Sequence, residues 1–212
     1  MASDAELLDA WRGGDARAGS RLFDRHYARL ARFFANKVAA RDEVYDLVQH
    51  TLLTCVEHQG ALVDDERFAA FVLGIARNVL LHHYRTRARK RDPIDFGVSS
   101  VADLFVAATS IVAQRRRDRV LLEALRRLPI EDQILLELYY WEEMRAEELA
   151  EILGIPPSST RRRLSEARGR LDAKMAEIAA SPDLLDRTLR NLESWAAEIR
   201  GQLGGVRHDS ER

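Results

Sequence analysis

Apolar residues recur at spacings of three and four along most of this chain, which predicts a mostly helical protein. Ser3 and Glu6 form a capping box for a short first helix, and Asp15 is suited to cap a second. A third helix covers about 42–58, and a fourth, basic towards its end, stops before Pro93. The predicted inward positions are Phe23, Tyr27, Leu30, Phe34 and Val38 in the second helix, Val44, Leu47, Val48, Leu52, Cys55 and Val56 in the third, and Phe68, Phe71, Val72, Ile75 and Val79 in the fourth. These helices predict one bundle-like domain.

A second helical unit lies at 118–178, and within it 147–171 has the pattern of a helix-turn-helix. Ala150 is small enough to let two helices approach, and Gly154, four residues later, ends the first of them. Ser158 and Ser159 are suited to cap the second helix. Its inward residues, at spacings of 4, 3 and 4, are Thr160, Leu164, Ala167 and Leu171, and its outward residues are Arg161, Arg162, Ser165 and Arg168.

A helix packed on one side and basic on the other has the build of a major-groove reader. Taken alone, an ordinary helical hairpin with a solvated basic face explains this stretch equally well.

Two further segments complete the chain. Residues 92–117 contain proline, glycine and serine without a helical period, so we expect a linker. Residues 179–212 are expected to form an amphipathic helical extension, because leucines and other apolar residues keep a regular spacing of four and three. This stripe comprises Leu185, Leu189, Leu192, Ala196, Ile199 and Leu203. The sequence leaves three ways to bury it: docking on the body of the protein, contact with a partner, or self-association with a second copy.

Charge is sorted along the chain although the formal net charge is only −1. Arginine and lysine are concentrated at 77–91 and 161–174, whereas 142–151 is acidic. Local basic faces on a neutral chain favour selective docking on nucleic acid over general adhesion.

The sequence contains no pattern typical of an enzyme, a cofactor site or a metal site. His82 and His83 are adjacent, so on a helix they point about 100° apart and are poorly placed to share a metal. Cys55, the single cysteine, is expected to be a small buried residue. The amino terminus lacks the apolar core of a signal peptide, and no apolar run is long enough to span a bilayer. We therefore expect a cytoplasmic protein without membrane insertion.

Two segments resemble one family, the sigma factors of the extracytoplasmic-function (ECF) type. Residues 68–91 are similar to the second conserved region of these bacterial proteins, through the core Gly74-Ile75-Ala76-Arg77-Asn78 and the basic tail. Residues 120–171 are similar to their fourth region, at Leu125, Leu128, Pro129, Leu135, Tyr140, Ile152, Gly154, Ile155, Arg163, Leu164, Ala167 and Arg168. The resemblance implies an all-α protein with a region 2-type bundle at 1–91, a linker, and a region 4-type helix-turn-helix domain at 118–178.

The resemblance also implies two DNA-binding surfaces. The helix-turn-helix is expected to read the upstream promoter element as duplex through Ser159, Arg161, Arg162, Arg163, Ser165 and Arg168. Arginines at these positions suit guanine edges or phosphates. The first domain is expected to hold the downstream element as a single strand through Arg67, Arg77, Asn78, Tyr84, Arg85 and Arg87. A cationic track with stacking groups suits that task.

A third implied surface contacts the polymerase and contains Glu43, Asp46, Leu47 and Gln49. The acidic signature usual in the family is interrupted here, because Tyr45 and His50 replace two acids. Phosphorylation by a kinase at Tyr45, Thr51 or Thr54 is our hypothesis for restoring the negative charge. A weaker or differently arranged interface is the alternative.

A second departure lies in the turn before the helix-turn-helix. The family usually has glycine and a small hydroxyl residue there, but this chain has Glu143-Met144-Arg145. The loss of that cap is expected to weaken the helix start by roughly 1 kcal/mol.

We interpret the chain as a promoter-specificity subunit that binds core RNA polymerase and promoter DNA and promotes DNA melting and transcription initiation. An anti-sigma factor is a further candidate partner. The alternative is a stand-alone helix-turn-helix regulator that binds DNA as a dimer, and a third interpretation is a helical adaptor without a DNA role.

Overall fold

The structure, a computed structural model, describes residues 2–38, 40–58, 60, 67–87 and 116–178, with side chains in the last range from residue 120 onward. The predicted extension at 179–212, the linker up to residue 115 and the loop at 61–66 lie outside the described residues. The described part contains eight α-helices. They are α1 (Asp4–Arg12), α2 (Ala16–Ala35), α3 (Arg41–Glu57), α4 (Phe68–Arg87), α5 (Arg116–Arg126), α6 (Ile130–Tyr140), α7 (Ala146–Leu153) and α8 (Pro157–Ile178).

The first two helices begin where the sequence predicts. The Ser3 hydroxyl accepts a hydrogen bond from the backbone N–H of Glu6, whose carboxylate accepts one from the N–H of Ser3. The Asp15 carboxylate accepts hydrogen bonds from two N–H groups in the first turn of α2. A Cβ at Gly19 would lie 2.6 Å from the Trp11 ring, so only glycine lets α1 pack this closely on α2.

The first four helices bury one core, but the buried face of α2 is rotated relative to the apolar stripe that the sequence predicts. Leu22 and His26 are buried, whereas Tyr27, predicted to point inward, is 38% exposed. Val56 of α3 is also exposed, so its predicted inward position is wrong. Cys55 is buried as expected, and burial raises the pKa of its thiol to about 12.

The helix-turn-helix prediction is confirmed. Gly154 ends α7 in the left-handed conformation, with φ of 65°, and its N–H bonds back to the last turn. Thr160, Ala167 and Leu171 of α8 are buried against α5, α6 and α7. The predicted serine caps are wrong, because α8 already begins at Pro157 and the N–H of Ser159 donates to the Pro156 carbonyl. Helix α5 begins at Arg116, two residues before the predicted start of the second helical unit.

The first half of the chain, helices α1 to α4, packs directly on the second half, helices α5 to α8, with α4 lying against α7. Lys37, after α2, is fully buried between them. Its ammonium donates to the Phe33 carbonyl at 2.6 Å and to the Glu137 carboxylate of α6. Gln133 donates to the other oxygen of Glu137 at 2.8 Å. Burial lowers the pKa of Lys37 and the Glu137 carboxylate opposes this shift, so the cation depends on its acid.

The turn between α6 and α7 is strained. Glu143 has φ of 53°, in the left-handed region that glycine adopts more easily. The next residues place Met144 in the core and leave Arg145 at the start of α7 without a side-chain cap. The Glu148 carboxylate accepts a hydrogen bond from the Arg145 N–H at 2.7 Å, which satisfies one backbone donor at the start of α7.

Replacing Glu137 with leucine should lower the free energy of unfolding by roughly 3–5 kcal/mol, because it leaves the Lys37 ammonium buried without its acid. The double variant Lys37→Met/Glu137→Leu removes both charges and should recover most of that loss. Chemical denaturation of the two variants and the wild type provides the measurement. A double variant as unstable as the single one would show that the ion pair is not the cause.

Replacing Glu143 with glycine should raise the free energy of unfolding by about 0.5–1 kcal/mol, because it relieves the positive φ. Glu147→Gly serves as the matched control, since it places glycine inside α7 and should lower stability. Equal losses from both substitutions in denaturation experiments would refute strain at this turn.

Candidate nucleic-acid interface

Helix α8 presents a basic face to solvent. Arg161, Arg162, Ser165 and Arg168 are all exposed, as the sequence predicts. The Arg162 side chain is 73% exposed, and its guanidinium lies 3.0 Å from the Glu166 carboxylate one turn later. Ser159 is half-buried in the first turn of the helix.

A neighbouring face of α8 is used for packing. The guanidinium of Arg163 lies 3.5 Å from the Glu131 carboxylate of α6. Arg170, which sequence reasoning missed, forms a two-point interaction with Asp132, whose hydrogen bonds raise the pKa of its guanidinium. Arg163 therefore helps to orient α8 on α6, and only part of its side chain faces solvent.

Helix α4 brings together the residues predicted to follow a single strand, but not all of them are accessible. Asn78, Arg85 and Arg87 are exposed. Tyr84 is 1% exposed, and its hydroxyl donates to the Lys37 carbonyl at 2.6 Å. Its ring cannot stack on a base in this arrangement, which corrects the prediction for Tyr84. The signal was available, because Tyr84 continues the apolar side of α4 after Leu80 and Leu81.

Two other cations of this predicted track are bound to acids of the second half. The Arg77 side chain is only 14% exposed, and its guanidinium lies 3.5 Å from the Glu131 carboxylate. Burial lowers the pKa of Arg77, and the charge of Glu131 opposes that shift. Arg67 pairs with Glu151 of α7. Within the first half, Arg87 pairs with Glu43.

Comparison with known proteins identifies both halves. The family model for Sigma-70 region 2 matches residues 22–90, and that for Sigma-70 region 4 matches residues 118–171, together more than half of the chain. The ECF RNA polymerase sigma factor SigM of Mycobacterium tuberculosis is 28% identical over 170 residues, covering 80% of this chain and 83% of SigM. The chain belongs to the ECF-type sigma factors. The resemblance inferred from the sequence is thereby confirmed.

Solved structures agree with this family at the level of the fold. The structure of CnrH in complex with the cytosolic domain of CnrY has a TM-score of 0.59 at 22% identity, covering 83% of this chain and 99% of that one. The sigma factor RpoE, in complex with the anti-sigma factor NepR from Bartonella quintana, has a TM-score of 0.57 at 21% identity, covering 74% of this chain and 96% of that one. The all-α fold of the sigma factor is confirmed, and the comparisons lend no support to a stand-alone regulator.

The predicted polymerase surface of this sigma factor lies on α3, where Asp46 and Gln49 are exposed. Leu47 is only 5% exposed, so the structure places it in the core rather than on the surface. Burial opposes ionisation of Glu43, but hydrogen bonds from the Ala40 N–H and Arg87 hold the pKa of its carboxyl below the usual range. Sequence reasoning missed Leu53, whose 64% exposure is the largest among the apolar residues of this surface.

The three phosphorylation candidates differ in accessibility. Tyr45 is 40% exposed and Thr54 is half-buried. Thr51 is fully buried, and its hydroxyl donates to the Leu47 carbonyl at 2.7 Å. A kinase cannot reach Thr51 in this fold, which corrects that part of the hypothesis. Tyr45 and Thr54 stay candidates.

The described residues include neither a candidate metal site nor a candidate membrane-spanning helix. Within them, no group of at least three histidines, cysteines, aspartates or glutamates is placed to hold a metal ion. None of the helices in those ranges is long and apolar enough to cross a membrane.

Replacing Thr51 with glutamate should destabilise the protein by at least about 3 kcal/mol, because it buries a carboxylate without a partner. Tyr45→Glu should stay within roughly 0.5 kcal/mol of the wild type, because its side chain faces solvent. Thermal or chemical denaturation tests this difference. A stable Thr51→Glu variant would mean that α3 opens far more readily than its burial implies.

Proposed function

We propose that this chain is a promoter-specificity subunit that binds core RNA polymerase and directs it to promoters. The observation that carries the proposal is the exposed basic face of α8, centred on Arg161 and Arg162, on a helix-turn-helix that is packed on its other side. A helix with this build enters the major groove, where arginines pair with guanine edges and phosphates.

The proposal assigns three tasks to three surfaces. Residues Ser159, Arg161, Arg162, Ser165 and Arg168 of α8 contact the upstream element as duplex, and Arg163 contributes a phosphate contact at its edge. Residues Arg67, Arg77, Asn78, Arg85 and Arg87, on and beside α4, follow the phosphates of the separated downstream strand. Residues Glu43, Asp46 and Gln49 of α3 contact the polymerase, together with the exposed apolar side chain of Leu53.

No chemical step is assigned to this chain in the proposal. Sigma factors are initiation factors rather than catalysts, and the binding energy of the separated strand drives melting. A polymerase subunit acts where the chromosome is, so a cytoplasmic site of action is part of the proposal.

The proposal also includes two regulators of this chain, an anti-sigma factor and a kinase. The likeness to RpoE, which was solved with its anti-sigma factor NepR, supports an anti-sigma factor as a further partner. A kinase acting on Tyr45 or Thr54 is retained as the second regulator, because both side chains reach solvent.

Run-off transcription with purified core polymerase and a genomic promoter library tests this function. The protein should produce discrete new start sites, and Arg161→Ala/Arg162→Ala should reduce those transcripts about tenfold or more, because each lost guanine contact costs roughly 1–3 kcal/mol of discrimination.

The matched control is Arg17→Ala/Arg21→Ala, which removes the same charge from exposed positions of α2 and should leave the transcripts unchanged. Equal losses from both double variants would mean that net charge, not the α8 face, is responsible. Tight duplex binding by the protein alone, with no transcripts from any combination, would instead support the stand-alone regulator.

A further inference from the structure

Helix α8 carries one acid within the surface that is proposed to face DNA. Between Pro157 and Leu171 the sequence has five arginines, and Glu166 is the only acid. Glu166 is exposed and lies one turn after Arg162, on the side of the helix that points away from the buried Thr160 and Leu171. A carboxylate at this place repels phosphates, so it weakens any binding that depends on charge alone.

The stability of α8 does not explain Glu166. Its carboxylate lies 3.0 Å from the Arg162 guanidinium, and the two side chains are 43% and 73% exposed. An exposed pair of this kind contributes little to stability. The favourable order on a helix places the acid before the base, whereas here the base comes first. Both side chains are therefore available to a third group.

The separation of the two charged groups matches the spacing of hydrogen-bonding groups on one base pair. In the major groove, guanine presents the acceptors N7 and O6, and cytosine presents its N4 amino group as a donor. O6 and N4 are bonded to each other in the G·C pair, so they lie about 2.9–3.0 Å apart. Nη1 of Arg162 and Oε1 of Glu166 are 3.0 Å apart. A guanidinium placed on guanine O6 thus brings the carboxylate close to the free hydrogen of cytosine N4.

We propose that Arg162 and Glu166 together read one G·C base pair of the upstream element, with Arg162 donating to guanine and Glu166 accepting from cytosine N4. The inference rests on the proposed function. An A·T pair is a poorer fit, because a thymine methyl group replaces guanine N7 and the acceptor N7 of adenine lies beside the carboxylate. Glu166 therefore contributes rejection of wrong base pairs, whereas arginines also bind phosphates of any sequence.

Run-off transcription from a promoter library with a randomised upstream element tests the proposal, using core polymerase and the full chain. The wild type should prefer G·C at one position. Glu166→Ala should lower that preference about tenfold, the size expected for one lost base contact, without lowering total transcription. Glu177→Ala is the matched control, because it removes the same charge from an exposed residue of α8 that also pairs within the helix, with Lys174. It should keep the wild-type preference.

Modified bases at the selected position separate a base contact from mere support of Arg162. N4-methylcytosine still pairs with guanine but has lost the free amino hydrogen, and it should reduce wild-type transcripts about tenfold while leaving those of Glu166→Ala unchanged. The matched control, 5-methylcytosine, adds a methyl group to the same groove and keeps the hydrogen, so it should affect neither protein. Substitution by 7-deazaguanine, which lacks N7, should reduce the transcripts of the wild type but not those of Arg162→Ala.

Two results would overturn the proposal. A uniform gain by Glu166→Ala on all sequences, with every base preference unchanged, would show that the carboxylate only repels phosphates. An equal response of the wild type and Glu166→Ala to N4-methylcytosine would show that Glu166 only positions Arg162.

Failure of the proposed function has a different signature, which is the absence of transcripts by the wild type from every member of the library. The same library, selected by duplex binding to the full chain, then provides the test. A G·C preference that Glu166→Ala removes would support the reading of the base pair, and a preference that it leaves unchanged would overturn it.

Discussion

A lysine without solvent contact needs an acid, and this requirement joins the two halves of the protein. Lys37 is enclosed at the end of α2, and its nearest carboxylate, Glu137, comes from α6, 100 residues later in the chain. The backbone carbonyl of Lys37 in turn accepts the hydroxyl of Tyr84, which holds the end of α4. The position of α4, and with it the proposed strand-binding track, thus depends on a pair of charges that neither half can satisfy by itself.

The arginines of α8 also fall into two groups according to what they contact. Arg163 and Arg170 are engaged by Glu131 and Asp132 and hold the helix at a fixed angle on α6. Arg161, Arg162 and Arg168 have no such task among the contacts described here and point to solvent. Helix orientation and the proposed DNA recognition therefore fall mainly to different arginines of one helix, so the proposed DNA-binding face is presented by a rigid support.

Local sequence rules performed well where neighbouring residues decide the outcome. The Ser3 and Asp15 caps, the left-handed Gly154 and the inward face of α8 all depend on groups within one or two turns, and all were predicted. The same rules misplaced Tyr27 and Val56, and the predicted site surfaces wrongly included Leu47, Thr51 and Tyr84, which are buried. Each of these lies on a helix packed on more than one side, where a residue slightly off the apolar stripe is exposed or buried according to which neighbour covers it.

The family follows from the resemblance of two segments to known proteins. The helix-turn-helix and the candidate basic faces follow from the order of residues, because helical periodicity and capping are short-range properties. The accessibility of those faces does not follow from the order of residues. Arg77 and Arg163 look equivalent to any other arginine along the chain, and only the packing of α4 on the second half and of α8 on α6 brings them to Glu131. The two arginines lie 32 and 54 positions from Glu131 along the chain. Their ion pairs therefore depend on how whole helices pack, and no local pattern predicts them.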